Sequence, residues 1–295
     1  MSRLRALGPW VRAGVTLGVL GALVHFLGSA EIVSALAAAD PRWIALSALA
    51  LSAQIVLSAL RWQVTARALG IVIGRGRAVQ EYYLSVLGNA LLPGGVLGDL
   101  GRVMRMRAHA GLAGAARSVV IERLAGQVAL LALVGCGALV WFWPASALHA
   151  TLGGVFGLGA VLGMRVARPG GGVIGRMLAL LHRAWVADGI WRAQTWLSVA
   201  ILGCNIAAFW AAAQAVGVSL GVGASLYLLP LTLLAMLVPI TVAGWGLREG
   251  AAALLWPLAG VAPALAVAAS IVFGASALLA ALPGLVGLAR RAPQG

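Results

Sequence analysis

Apolar residues run almost without interruption along this chain, and short arginine-bearing segments punctuate them in place of the alternation of a half-buried strand. Runs near 10–28, 43–60, 118–142, 147–164, 194–216 and 263–289 reach or approach the roughly 17–25 residues that a membrane-spanning helix requires. Two more apolar stretches, about 79–101 and 225–261, are broken from within by proline and glycine. The first break reads Leu91-Leu92-Pro93-Gly94-Gly95-Val96-Leu97-Gly98-Asp99-Leu100-Gly101-Arg102, and the second reads Leu237-Val238-Pro239-Ile240-Thr241-Val242-Ala243-Gly244-Trp245-Gly246-Leu247-Arg248. At an offset of 146 residues they match at Leu91/Leu237, Pro93/Pro239, Val96/Val242, Gly98/Gly244 and Arg102/Arg248. Unwound backbone survives in a bilayer only where protein covers it or a cavity hydrates it, so paired breaks in two halves point to a transport site.

Charge decides how these runs are threaded. With 62% hydrophobic and 9% charged residues, against about 25% charged in soluble domains, the chain is a polytopic membrane protein. Its net charge of +14 is carried by arginine alone, in short loops, which is the positive-inside pattern and excludes a nucleic-acid partner. Arg3, Arg5 and Arg12 precede the first run, whereas Glu31, Asp40 and Arg42 follow it, so the N-terminus is cytoplasmic. That first run, with Gly28-Ser29-Ala30 after it, imitates a secretory signal, but the spans that follow favour a retained helix. Arg61, Arg67, Arg75 and Arg77 lie before the first broken stretch, and Arg102, Arg105, Arg107 and Arg117 lie at its end and beyond. A hairpin that enters and leaves from the cytoplasm keeps both groups inside, and the apolar piece before Pro93 is short for a full crossing. Arg165, Arg168, Arg176, Arg183, Arg192, Arg290 and Arg291 are then inside as well, which leaves only Arg42, Arg123 and Arg248 of the 21 elsewhere.

The predicted fold is therefore an all-α membrane helix bundle of six full spans plus two re-entrant broken-helix hairpins. It is one membrane domain over 1–295, with pseudo-repeats of about 1–144 and 145–295 inserted in opposite senses and both termini cytoplasmic. Between Gly172 and Gly189, Val173, Ile174, Met177, Leu178, Leu181 and Trp185 recur at helical spacing beside Arg176 and Arg183, as in a helix lying on the membrane surface.

Of seven acidic residues, Glu81, Asp99, Glu122 and Glu249 lie in or beside the broken stretches. A charge facing hydrocarbon costs roughly 2.5–3.5 kcal/mol on the most lenient scale, so such groups face the bundle interior and mark a pathway. Arg102, Arg123 and Arg248 suit an anionic group, because a guanidinium donates two parallel hydrogen bonds to phosphate. The four acids would hold these arginines or bind a coupling cation. Adjacent residues on a helix point about 100° apart, so Glu122-Arg123 and Arg248-Glu249 are each expected to find partners on other elements. The Pro93-Gly94-Gly95 turn offers backbone N–H groups to the same anion, and Asn89 is a polar liner. No catalytic or nucleotide-binding motif appears, Cys136 and Cys204 lack CxxC spacing, and His25, His109, His149 and His182 are scattered. No metal site and no cofactor are expected.

The run from Asn89 to Arg102, followed by Ser118-Val119-Val120-Ile121-Glu122-Arg123-Leu124 and by Gly244-Trp245-Gly246-Leu247-Arg248-Glu249-Gly250, resembles the membrane region of the lysylphosphatidylglycerol synthase and flippase family. The likeness covers almost the whole chain. It implies a multi-pass protein of the bacterial inner membrane, and it implies that Asp99, Arg102, Glu122, Arg123, Arg248 and Glu249 belong to the shared core. In bifunctional members this region is thought to move an aminoacylated lipid, and a soluble aminoacyl-transferring domain follows it. This sequence ends at Gly295 soon after its last apolar run, so lysine transfer is not carried over. The expectation is a lipid transporter that binds an anionic headgroup in a polar midplane cavity and is not itself an enzyme. The alternatives are a membrane-embedded transferase with a lipid-linked donor, using Asp99 or Glu122 as base, and a non-catalytic partner of a lipid-modifying enzyme.

Overall fold

The computed structural model of the protein describes residues 11, 14–19, 21–22, 29–92, 95–142, 172–237, 241 and 244–289. The expected span at 147–164, most of the one at 10–28, and Pro93 and Gly94 of the first break lie outside the described residues. Among the described residues every regular element is a helix: α1 (Ser29–Ala37), α2 (Pro41–Ala68), α3 (Arg75–Leu91), α4 (Leu97–Phe142), α5 (Gly172–Trp185), α6 (Ile190–Ala215), α7 (Val222–Leu234), α8 (Leu247–Leu255), α9 (Pro263–Ala281) and α10 (Gly284–Ala289), with short 3-10 turns between some of them. Four helical stretches, Pro41–Ala68, Leu97–Ala138, Gly175–Ala215 and Pro263–Leu288, are long and apolar enough to cross a membrane.

Local chemistry sets the ends of these helices. The Asp40 carboxylate accepts the Arg42 N–H at 2.8 Å and Pro41 occupies the first turn, which starts α2. Nothing in the next 27 residues breaks it, so α2 runs on to Ala68, past the apolar run that stops at residue 60. Arg61 therefore lies inside the bundle and not in a loop, and Arg102 is buried too. Both depart from the positive-inside count, because buried carboxylates compensate them. α4 is two helices joined at Gly111, whose φ of 68° and ψ of 160° interrupt the spiral; a first arm (97–110) and a second arm (112–142) result.

α2 and α6 lie side by side and antiparallel. Asp40 N–H donates to the Ala215 carbonyl at 2.9 Å, Trp43 meets Trp210 edge-on at 5.3 Å, Arg61 donates to Ser198 at 3.2 Å, and Gln194 donates to Thr65 at 2.9 Å. Small residues on each helix, Ala59 and Ala66 on α2 and Ala208 and Ala212 on α6, are fully buried and allow close packing. α9 packs across both helices, and Phe273 stacks on Phe209 at 4.5 Å.

α3 and the first arm of α4 form an antiparallel pair, since Gly98 and Asn89, Asp99 and Ser85, Arg105 and Glu81, and His109 and Arg77 are successive contacts. Gly98 makes the pair possible: a Cβ there would collide with the Ser85 carbonyl oxygen. Element boundaries recur at the offset of 146. Shifting α3 (75–91) by that amount gives 221–237, within one residue of α7 with the 3-10 turn that extends it (222–237).

Candidate functional site

One cluster of charges gathers from five helical segments. α2 supplies Arg61 and Trp62; α3 supplies Glu81, Tyr82, Ser85 and Asn89; the first arm supplies Asp99, Arg102 and Arg105; the second arm supplies Ser118, Glu122 and Arg123; and α6 supplies Ser198. Spacings of three and four residues put 81, 85 and 89 on one face of α3, 99 and 102 on one face of the first arm, and 118 and 122 on one face of the second.

Two carboxylates organise the cluster. Glu122 Oε1 accepts from Arg61 Nη2 at 2.9 Å and from the Tyr82 hydroxyl at 3.3 Å, while Oε2 lies 3.6 Å from Arg102 Nη2. Asp99 Oδ1 accepts from the Ser85 hydroxyl at 2.7 Å and from Arg102 Nη2 at 3.0 Å. Its Oδ2 accepts from Arg123 Nη2 at 2.7 Å and from Asn89 Nδ2 at 3.3 Å. Glu81 accepts from Arg105 Nε at 2.5 Å. Glu122 and Arg123 thus do find partners on other elements, as their helical geometry requires.

Arg102 sits at the centre, 0% exposed, with Cζ 4.5 Å from the Trp62 ring centroid and 4.6 Å from that of Tyr82. Trp62 is oriented in turn by donating to Ser118 at 3.2 Å. The aromatic faces favour the cation, but Arg102 Nε and Nη1 have no hydrogen-bond acceptor, and neither does Arg61 Nε. Four arginines (Arg61, Arg102, Arg105, Arg123) face three carboxylates (Glu81, Asp99, Glu122), so the cluster carries one positive charge in excess. Its open edge is Arg123, whose side chain is 45% exposed.

Asn89 has a more local task than lining a cavity. Its Oδ1 accepts from the N–H groups of Gly98 at 2.8 Å and Asp99 at 3.3 Å, so the first arm's leading donors are occupied within the protein. Gly95 is described, with φ of 66°, at the start of that arm.

Arg248 and Glu249 form a separate group, and here the expected pattern is corrected, because they pair with each other. Glu249, the third residue of α8, turns back so that Oε2 accepts the Gly246 N–H at 2.7 Å. Its Oε1 accepts from Arg248 Nη2 at 2.5 Å and from the Ser270 hydroxyl at 2.9 Å. Arg248 is flanked by Trp245 and Phe273 at 5.0 and 5.2 Å. The second group has one base and one acid, and none of the described hydrogen bonds or ion pairs joins it to the first.

Arg61, Trp62, Tyr82, Ser85 and Arg105 are members that sequence reasoning missed. The uninterrupted helical run from Pro41 to Leu69, with no proline or glycine between, was the signal that could have drawn Arg61 inside. Two cavities flank the bundle, one of about 300 Å³ beside Arg117 and Arg183 and one of about 550 Å³ beside Glu31 and Leu265. Neither borders the cluster, whose groups close on one another in this conformation.

A family model described as the lysylphosphatidylglycerol synthase TM region matches residues 10–284. No curated protein and no solved structure matches the chain.

Proposed function

The chain belongs to the lysylphosphatidylglycerol synthase TM-region family, a membrane family tied to lipid metabolism, and from that premise we propose that it binds an anionic lipid headgroup at the Arg102 cluster and carries it between leaflets. The observation that carries this reading is Arg102 itself: a fully buried guanidinium with two unsatisfied donors, in a cluster one negative charge short of balance. A phosphodiester bears one negative charge and accepts two parallel hydrogen bonds, so it answers both deficits at once. The headgroup enters past Arg123, displaces that side chain from Asp99 and reaches Arg102, while its tails stay in lipid. The conformation described above is the closed one.

The proposed frame is six spans with two hairpins inserted from opposite sides of a bacterial inner membrane, both termini cytoplasmic. Three observations support it. The helix boundaries repeat at the 146-residue offset, the corresponding helices α2 and α6 run antiparallel, and the tip of the first break exposes Leu91, Leu92 and Val96, with Leu91 at 63%. Apolar side chains at a tip fit a hairpin that ends in hydrocarbon better than a loop that reaches water.

The test is reconstitution of the full-length protein into vesicles with a fluorescent phosphatidylglycerol whose outer-leaflet copies are quenched chemically. Exchange faster than in protein-free vesicles, without a new lipid species by mass spectrometry, supports transport. A covalently altered lipid would move the assignment to a transferase.

A further inference from the structure

At the arginine-rich end of the bundle, the cavity of about 300 Å³ lies where the end of α2, the Gly111 bend of α4 and the amphipathic α5 converge. Its walls combine Arg117 from the second arm and Arg183 from α5 with an apolar floor of Leu69, Ile71 and Leu180. Neither arginine meets an acidic side chain among the described residues. His109 lines the same cavity. Because Arg77 can only donate, its 2.8 Å contact makes His109 Nε2 the acceptor and leaves Nδ1–H as a further donor. Two guanidiniums from two helical segments, with the His109 ring beside them, thus border a space of headgroup dimensions, and no acidic side chain among the described residues pairs with either guanidinium.

We propose that this cavity is a second anion site, separate from the Arg102 cluster, and that it takes the phosphate group of an anionic lipid from the adjoining leaflet. Two features favour a lipid over a soluble phosphate. Leu69, Ile71 and Leu180 line it beside the basic groups, and Val72 and Leu112, close in sequence to lining residues, are 85% and 58% exposed, aliphatic surface suited to acyl chains. The amphipathic α5 borders the cavity through Leu180 and Arg183, which suits a helix at the membrane interface. The site does not depend on transport through the Arg102 cluster, and its test reads binding alone.

Native mass spectrometry of the full-length protein, titrated with short-chain phosphatidylglycerol or phosphatidylcholine, measures the preference. Wild type is expected to retain phosphatidylglycerol about 10-fold better than phosphatidylcholine, a difference of about 1.4 kcal/mol. Against an Arg102→Gln background, which takes the first headgroup site out of the readout, Arg117→Gln/Arg183→Gln should abolish most of the remaining preference, whereas Arg75→Gln/Arg192→Gln, which removes the same charge from the same end outside the cavity, should keep it. Leu180→Trp should weaken binding with no change of charge, because it fills the space. Both cavity arginines are exposed and without ion pairs, so the double variant should unfold at the wild-type temperature. Equal loss in the two double variants would overturn the site in favour of a diffuse basic face. A calorimetric titration with inorganic phosphate forms the second arm. Binding there that needs Arg117 and Arg183, without any phosphatidylglycerol preference, would overturn the lipid as the source.

Discussion

Held between Trp62 and Tyr82, Arg102 gains on the order of 2 kcal/mol from the two ring faces when desolvated, yet each of its unpaired N–H groups costs about 1–3 kcal/mol. The balance leaves a cation that stays folded in place but lacks acceptors at Nε and Nη1, which is the condition for binding an anion. Glu122 is the residue on which this depends, since Arg61, Arg102 and Tyr82 all address it. Glu122→Ala should destabilise the protein by about 3–5 kcal/mol, because buried Arg61 loses its counter-charge and Arg102 keeps only Asp99; a denaturant titration in detergent measures it. Arg123→Gln should behave differently. Its side chain is half in solvent, so unfolding should shift little, while phosphatidylglycerol exchange should fall about tenfold if Arg123 forms the way in. Unchanged exchange in that variant would move the route elsewhere.

Helix pairs, at the next scale, determine whether those side chains meet. The α3 and first-arm pair rests on Gly98, where a side chain has no room against the Ser85 carbonyl and the Asn89 backbone nitrogen. Gly98→Ala should push the arms apart, break the Asn89 cap and the Ser85–Asp99 bond, and cost about 1–3 kcal/mol in the same titration. A variant as stable as wild type would mean that the arms separate freely. Four of the six expected spans, near 43–60, 118–142, 194–216 and 263–289, were legible because an unbroken apolar run of spanning length is too long for a buried strand or an ordinary core helix, and the breaks were legible because proline and glycine announce them. The helical spacing between Gly172 and Gly189 likewise matched α5. What escaped was any charge whose partner is distant in sequence. Arg61 looked like the end of a span, although Glu122 holds it inside, and Arg75 and Arg77 hid the first turn of α3 from a count of apolar residues. The Arg248–Glu249 pair escaped for a local reason: the rule about side-chain direction applies within a helix, and Glu249 is in a first turn, where it reaches back to the cap.

Across the whole molecule, the two halves of the proposed repeat differ in charge. The first half carries the cluster with a surplus cation, and the second carries the self-compensated Arg248–Glu249 pair, although Arg102 and Arg248 correspond at the 146-residue offset. The headgroup is therefore proposed to bind the first half while the second pair serves a structural role, so equivalent positions should respond unequally. The measurement that tests this most directly is phosphatidylglycerol exchange in vesicles reconstituted with Arg102→Gln and, in parallel, with Arg248→Gln/Glu249→Gln, each first matched to wild type for insertion and elution. The account predicts exchange at the protein-free rate for Arg102→Gln and at least half the wild-type rate for the neutralised second pair. Full exchange by a stably inserted Arg102→Gln protein would contradict it.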